Sequence, residues 1–204
     1  MNLNGWLFAG IVVLALVSQK AMSLPADVKT IAKPTALYEL PRKNLYAIGI
    51  AEAPAGASIT IVNGNIYVAY DDQKKKLVVD TSMKTVAQKL AYAVVRSWIE
   101  IPLPLKIQTA DEVGAEVSKA LKKLGFENAR NVPFLLKGKF HIVPANAKLS
   151  GLAIGLFTKT TPARVEPETY SIVWNFVAEN NAVVGTIEKL SFTSADHVTL
   201  FLPR

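Results

Sequence analysis

Side chains able to do chemistry are few in this chain. Its 204 residues include two histidines, His141 and His197, and no cysteine. Thiol catalysis, disulfides and cysteine-based metal sites are therefore excluded, as is a lipid-bearing cysteine anchor; the lack of cysteine fits either redox compartment. Asp196 and His197 adjoin, but adjacent residues of a strand point to opposite faces, so the pair cannot share one nucleophile. Both histidines are expected at the surface or in simple hydrogen bonds. The remaining acid–base groups, Glu52, Glu188 and Tyr170, are those a catalytic reading would need, with burial raising a carboxyl pKa. Asn175, Thr186 and Glu188 form a polar group that one strand pair would hold together.

That strand pair is the segment 170–190, YSIVWNFVAENNAVVGTIEKL. Ile172, Val173, Trp174, Phe176 and Val177 make a β-rich run, Asn180-Asn181 is a two-residue turn tolerant of positive φ, and Val183 to Ile187 returns. This turn sets Glu179 opposite Ala182, Val177 opposite Val184, Asn175 opposite Thr186 and Val173 opposite Glu188. Val173, Asn175, Thr186 and Glu188 then share a face. Asn175 and Thr186 either satisfy each other across the pair, with Glu188 in water at the rim, or form a polar patch for a ligand.

The same hairpin resembles the α-acetolactate decarboxylases, whose members carry a His-x-His-Phe strand, an acidic residue soon after, and a returning Gly-Gly-His. The resemblance continues, in order, over most of residues 40–203. It includes YAIGIAEAPAGASITIVNGNIYV from Tyr46, FLLKGKFHIVPAN from Phe134, SGLAIGLFT from Ser150 and the terminal strand from His197 to Pro203. It implies a decarboxylase-like fold and places the family's three zinc-holding histidines at Val173, Asn175 and Thr186. The family glutamate falls at Ser58 and the family arginine at Asn146. At none of these five positions does the required group remain. Val, Asn and Thr offer zinc no imidazole, thiolate or carboxylate. Without a metal nothing polarises the ketone, and without the arginine a substrate carboxylate loses its bidentate partner. The expectation is therefore no zinc, no cofactor and no catalytic residue, with Ser58, Asn146, Val173, Asn175, Thr186 and Glu188 as a ligand-binding face left from the site; the alternative is a divergent acetolactate decarboxylase or another carbon–carbon lyase.

Holding such a face requires a substantial fold, and the composition supplies one. Half of the residues are hydrophobic and 19% are charged, which excludes a disordered chain and allows one domain with a sizeable core. The net charge of +7 is spread out, with Lys74-Lys75-Lys76 the one tight basic run. No stripe of arginines and aromatics marks a nucleic-acid surface. At the start, Trp6–Val17 is apolar but shorter than the roughly 20 residues that span a bilayer. Ala21-Met22-Ser23 follows with small residues suited to cleavage before Leu24. Residues 1–23 are read as a signal peptide of an exported protein, periplasmic or secreted; the alternative is an uncleaved anchor through residues 6–20 tethering a structural subunit. Residues 24–43 form an arm and 44–204 the domain. The partner is a small molecule or a protein, and a homodimer is left open.

Within the domain, the spacing predicts strands at Leu45–Ile50, Ser58–Val62 and Asn65–Tyr70, the last two joined by the Asn63-Gly64 hairpin turn. Leu77–Thr81 and Leu90–Ile99 are further strands, and Pro102 and Pro104 argue against a central strand beyond them. A helix starts at Thr109, with Glu112 completing the capping box; Val113, Val117, Leu121 and Leu124 form its apolar stripe, and Gly125 ends it. A strand pair, Phe134–Leu136 with Lys139–Val143, is expected to turn near Gly138, followed by Leu152–Phe157 and a last strand at His197–Leu202. Trp98 and Trp174 are expected in the core, and Tyr67 and Tyr70 on opposite faces. Many strands and one substantial helix make an α+β domain dominated by antiparallel sheet.

Overall fold

A computed structural model describes residues 26–71, 77–103, 109–143, 147–160, 169–187 and 189–204, without the side chains of Ala110 and Ser194. Two antiparallel sheets of seven strands each lie one over the other, with a single α-helix among the described residues packed on the outer side of the second sheet. The first sheet contains β1 (Lys29–Thr30), β2 (Thr35–Ala36), β3 (Leu45–Ala51), β4 (Ser58–Val62), β5 (Asn65–Asp71), β6 (Leu77–Asp80) and β7 (Val86–Val94), in the spatial order β1-β7-β3-β4-β5-β6 with β2 also on β7. The second contains β8 (Trp98–Pro102), then, after α1 (Ala110–Lys123), β9 (Asn131–Val143), β10 (Ala147–Lys159), β11 (Tyr170–Ala178), β12 (Val184–Thr186), β13 (Lys189–Ser191) and β14 (Thr199–Pro203). Its order is β12-β11-β10-β9-β14-β8, with β13 on β9.

Local chemistry explains the elements that formed as expected. Asn63 and Gly64 both have positive φ, 48° and 81°, which matches the right-handed twist of the two strands they join, β4 and β5. In α1 the Thr109 hydroxyl accepts from the Glu112 N–H while the Glu112 carboxylate accepts from the Thr109 N–H. Two otherwise orphaned donors at the helix start are thereby satisfied. At the far end Gly125 and Phe126 donate back to Lys122 and Leu121 and close the helix. The stripe Val113, Val117 and Leu121 is buried against the second sheet. The arm before Leu45 pairs with β7 and buries Leu37 beside Ile59, Ile61 and Leu90, giving the first sheet a core of its own.

Two strand assignments change. Asn131–Val143 is one unbroken strand paired along almost its whole length with β10, so Gly138 is not a turn. A glycine stands there because Val198 lies against the strand where a β-carbon would be. The segment 90–99 also divides: β7 ends at Val94 and belongs to the first sheet, while β8 begins at Trp98 and forms an edge of the second. Pro102 ends that edge strand, where a missing N–H is tolerated.

The second sheet is densest on its outer face. Phe134, Leu136, Phe140, Phe157, Phe176 and Leu200 are fully buried there under α1. Gly155 pairs with Phe134, whose ring occupies the space a side chain would take; Gly151 accommodates Phe176, and Gly114 of α1 accommodates Tyr170. Small residues thus let aromatic rings lie flat on neighbouring backbone. Each such fully buried ring is worth about 1.5–3 kcal/mol of apolar transfer.

Candidate functional site

The β11–β12 pairing places Asn175 opposite Thr186 and Val177 opposite Val184, the register expected from the sequence. The turn itself is wider. The strands stop at Ala178 and Val184, Asn181 takes the positive φ of 57°, and the Glu179 N–H bonds Ser150 on β10 rather than pairing with Ala182. The return strand is three residues long, and its Gly185, at φ 121°, lies close over Ser58 and Ala69 of the first sheet. A residue with a β-carbon would be strained in that conformation.

Ser58, Asn175 and Thr186 come together at this crossing, joined by Thr60. Asn175 is 2% exposed and Thr60 wholly buried. The two protons of the Asn175 amide nitrogen are shared among three acceptors, Ser58 Oγ at 3.1 Å, the Ile59 carbonyl at 2.9 Å and Thr60 Oγ1 at 2.8 Å. Its carbonyl oxygen accepts from Thr186 Oγ1 at 3.1 Å, and Ser58 and Thr186 hydroxyls lie 3.3 Å apart. Thr186 has a single hydroxyl proton and gives it to Asn175, so Ser58 donates to Thr186. A closed ring results: Asn175 to Ser58, Ser58 to Thr186, Thr186 back to Asn175. The two buried members, Asn175 and Thr60, find their partners within the crossing, while Ser58 is half-buried and Thr186 stands at its exposed edge.

Val173 lies next to this ring and is 56% exposed. It forms one wall of a cavity of about 490 Å³ between the sheets, with Ile48, Ile50, Leu90 and Leu156 opposite or beside it and Asn175 and Thr186 at its polar edge. Lys89 is the one charged side chain lining it among the described residues. Asn146 and Glu188, the other two residues expected on this face, lie outside the described residues.

The remaining candidates do not converge on the cavity. His141 and His197 are exposed, and His197 sits at φ 49° just before β14, an interior strand rather than an edge. Asp196 does not serve His197. Its carboxylate pairs with Lys148 and accepts from the Thr193 N–H and hydroxyl. The Lys148 bond holds this carboxyl below the usual carboxylate range, against the opposing effect of burial and with help from Thr193. Tyr170 lies on the helix side of the second sheet, its hydroxyl donating to the Asp111 carbonyl at 2.7 Å. Trp174 is in the core as expected, whereas Trp98 is only half-buried and stands against Tyr46. Tyr70 packs into the core of the first sheet and Tyr67 faces the second, so the two do point to opposite sides.

No family model matches the sequence, and no curated protein does. Solved structures do match. An acetolactate decarboxylase from Bacillus subtilis subspecies spizizenii superposes with a TM-score of 0.59 at 12% identity, over 82% of this chain and 76% of that one. The α-acetolactate decarboxylase of B. subtilis strain 168 gives 0.59 at 12% identity over 83% and 77%. The fold is that of the acetolactate decarboxylases. A Staphylococcus aureus protein of unknown function, described as similar to α-acetolactate decarboxylase, shares it with a TM-score of 0.55 at 11% identity, over 86% of this chain and 79% of its own.

Zinc, which the resemblance implies, is not suited to what stands at its expected position in this acetolactate-decarboxylase-like fold. Val173 has no donor atom, the Asn175 amide nitrogen is itself a donor with its protons engaged, and Thr186 is held in the ring. Among the described residues no three His, Cys, Asp or Glu side chains gather to hold a metal ion. Zinc sites are built from imidazole, thiolate and carboxylate.

Proposed function

We propose that this chain is an exported, non-catalytic binding protein, built on an acetolactate-decarboxylase-like scaffold that has lost its zinc site. Its ligand is a small, largely apolar molecule held between the sheets beside Val173. The observation that carries the reading is the pairing of an engaged polar ring with an open aliphatic cavity at one crossing. Where a metal-dependent lyase needs free donors, Ser58, Asn175 and Thr186 bond to one another. The adjoining cavity of about 490 Å³ has the size of a small-molecule site and is walled mainly by aliphatic side chains. Export rests on residues 6–23 of the sequence, an apolar run followed by a small-residue cleavage pattern. Among the described residues no helix is long and apolar enough to cross a membrane.

Two measurements on the purified protein test this reading. After incubation with zinc and dialysis, elemental analysis is expected to find far less than one zinc per chain, and acetolactate is expected to stay unconverted. Stoichiometric zinc or decarboxylation overturns the proposal. Intact mass from the exporting cell is expected to lack Met1–Ser23; a retained segment replaces export by anchoring.

A further inference from the structure

A second cavity, of about 530 Å³, opens between the sheets on the other side of the polar ring and shares no lining residue with the first. Its walls are aromatic. Tyr46 and Tyr67 come from the first sheet, Trp98 and Phe201 from the second, with Tyr46 and Trp98 edge to face at 5.0 Å. Three charges line it: Glu100 on β8, Lys137 on β9 and Glu179 just past β11. The strand pairing fixes their order. Phe201 lies beside Glu100 and Leu135, and Lys137 follows two residues along β9 and faces Leu152, which pairs with Val177. The cation therefore lies between two carboxylates, each about two strands away, or roughly 10 Å at the usual strand spacing. None of the three makes an ion pair with another. The Trp98 indole N–H adds an orphaned donor, the one buried side-chain polar atom without a partner among the described residues.

From this placement we infer a second binding site, for a small zwitterion with an aromatic or large apolar body, such as a free amino acid or the end of a short peptide. The ammonium goes to Glu100 or Glu179 and is favoured by the adjacent aromatic faces. The carboxylate goes to Lys137, and the apolar body fills the space between the tyrosines and Phe201. After a small turn of its ring, Trp98 donates its N–H to the same ligand. The charges are at the mouth and exposed, so they select the ligand more than they tighten it.

Calorimetry with three probes on the full exported chain tests the site: L-phenylalanine, phenethylamine, which lacks the carboxylate, and 3-phenylpropionate, which lacks the ammonium. L-Phenylalanine is expected to bind roughly three- to tenfold more tightly than either. Glu100→Gln combined with Glu179→Gln is expected to erase its advantage over 3-phenylpropionate, and Lys137→Met its advantage over phenethylamine. Circular dichroism should show both variants folded, because none of the three side chains is buried. Equal binding of all three probes, no binding at millimolar concentration, or variants that leave the preferences intact overturns the proposal. The zinc and turnover measurements concern the other cavity, so either inference can fail alone.

Discussion

On its outer face the second sheet packs Phe134, Phe140, Phe157 and Phe176 under α1 with no exposure beyond 1%. Its inner face meets the first sheet through a thinner layer, Leu135, Ile154 and Val177, interrupted by the Asn175 ring and flanked by two cavities. One set of strands thus carries two kinds of surface, separated only by side-chain alternation. The outer face holds the fold, and stability there leaves little freedom for substitution. The inner face keeps space, and its chemistry depends on a handful of side chains. Residues facing the gap can therefore change without disturbing the aromatic layer behind them.

Removing Phe134 tests the division most severely. Phe134→Ala should cost about 3–5 kcal/mol in a denaturant titration, while Val173→Ala on the opposite face should stay within about 0.5 kcal/mol. Similar costs for the two would erase the contrast. Next in size is the ring between the sheets. Asn175→Ala removes the amide to which Ile59, Ser58, Thr60 and Thr186 all bond and should cost about 1–3 kcal/mol. Adding Thr186→Val to that variant should cost less than Thr186→Val alone, because the ring is already open; strictly additive losses would show that the contacts act independently.

The smallest effect lies at the end of the same sheet, where Lys148 meets Asp196. A carboxyl held below its ordinary value of 3.8 stabilises the fold above that pH and loses this contribution as pH falls through its lower native value. Asp196→Asn should therefore be less stable than the parent at neutral pH, by about 1 kcal/mol given the exposed lysine, and the two should converge in acid. A gap that persists or widens at low pH would assign the effect to packing instead.

Sequence alone revealed elements whose cause is local. Thr109 and Glu112 are three residues apart, Asn63-Gly64 can do little but turn, and alternation across Asn180-Asn181 fixed the register even though the turn is wider than two residues. Gly138 misled because its reason is distant: the glycine makes room for Val198, some 60 residues later in the chain. Leu90–Ile99 misled because its apolar run serves two sheets in succession. At the site, Ser58 was placed beside Asn175 and Thr186 through the family resemblance, while Thr60 carried no signal, as its hydroxyl matters only once β4 and β11 face each other. The aromatic cavity was illegible for the same reason, since Tyr46, Tyr67, Trp98 and Phe201 come from four separate strands.

The amide of Asn175, bonded to both sheets, also makes position 175 a latch. An imidazole placed there could not reproduce a planar amide that gives protons to the first sheet and receives one from β12, so the hydroxyl of Thr60 would lose its donor in the dark between the layers. A histidine engineered at this position would therefore weaken the crossing before it could offer anything to a metal, while the apolar contacts on either side keep the sheets together.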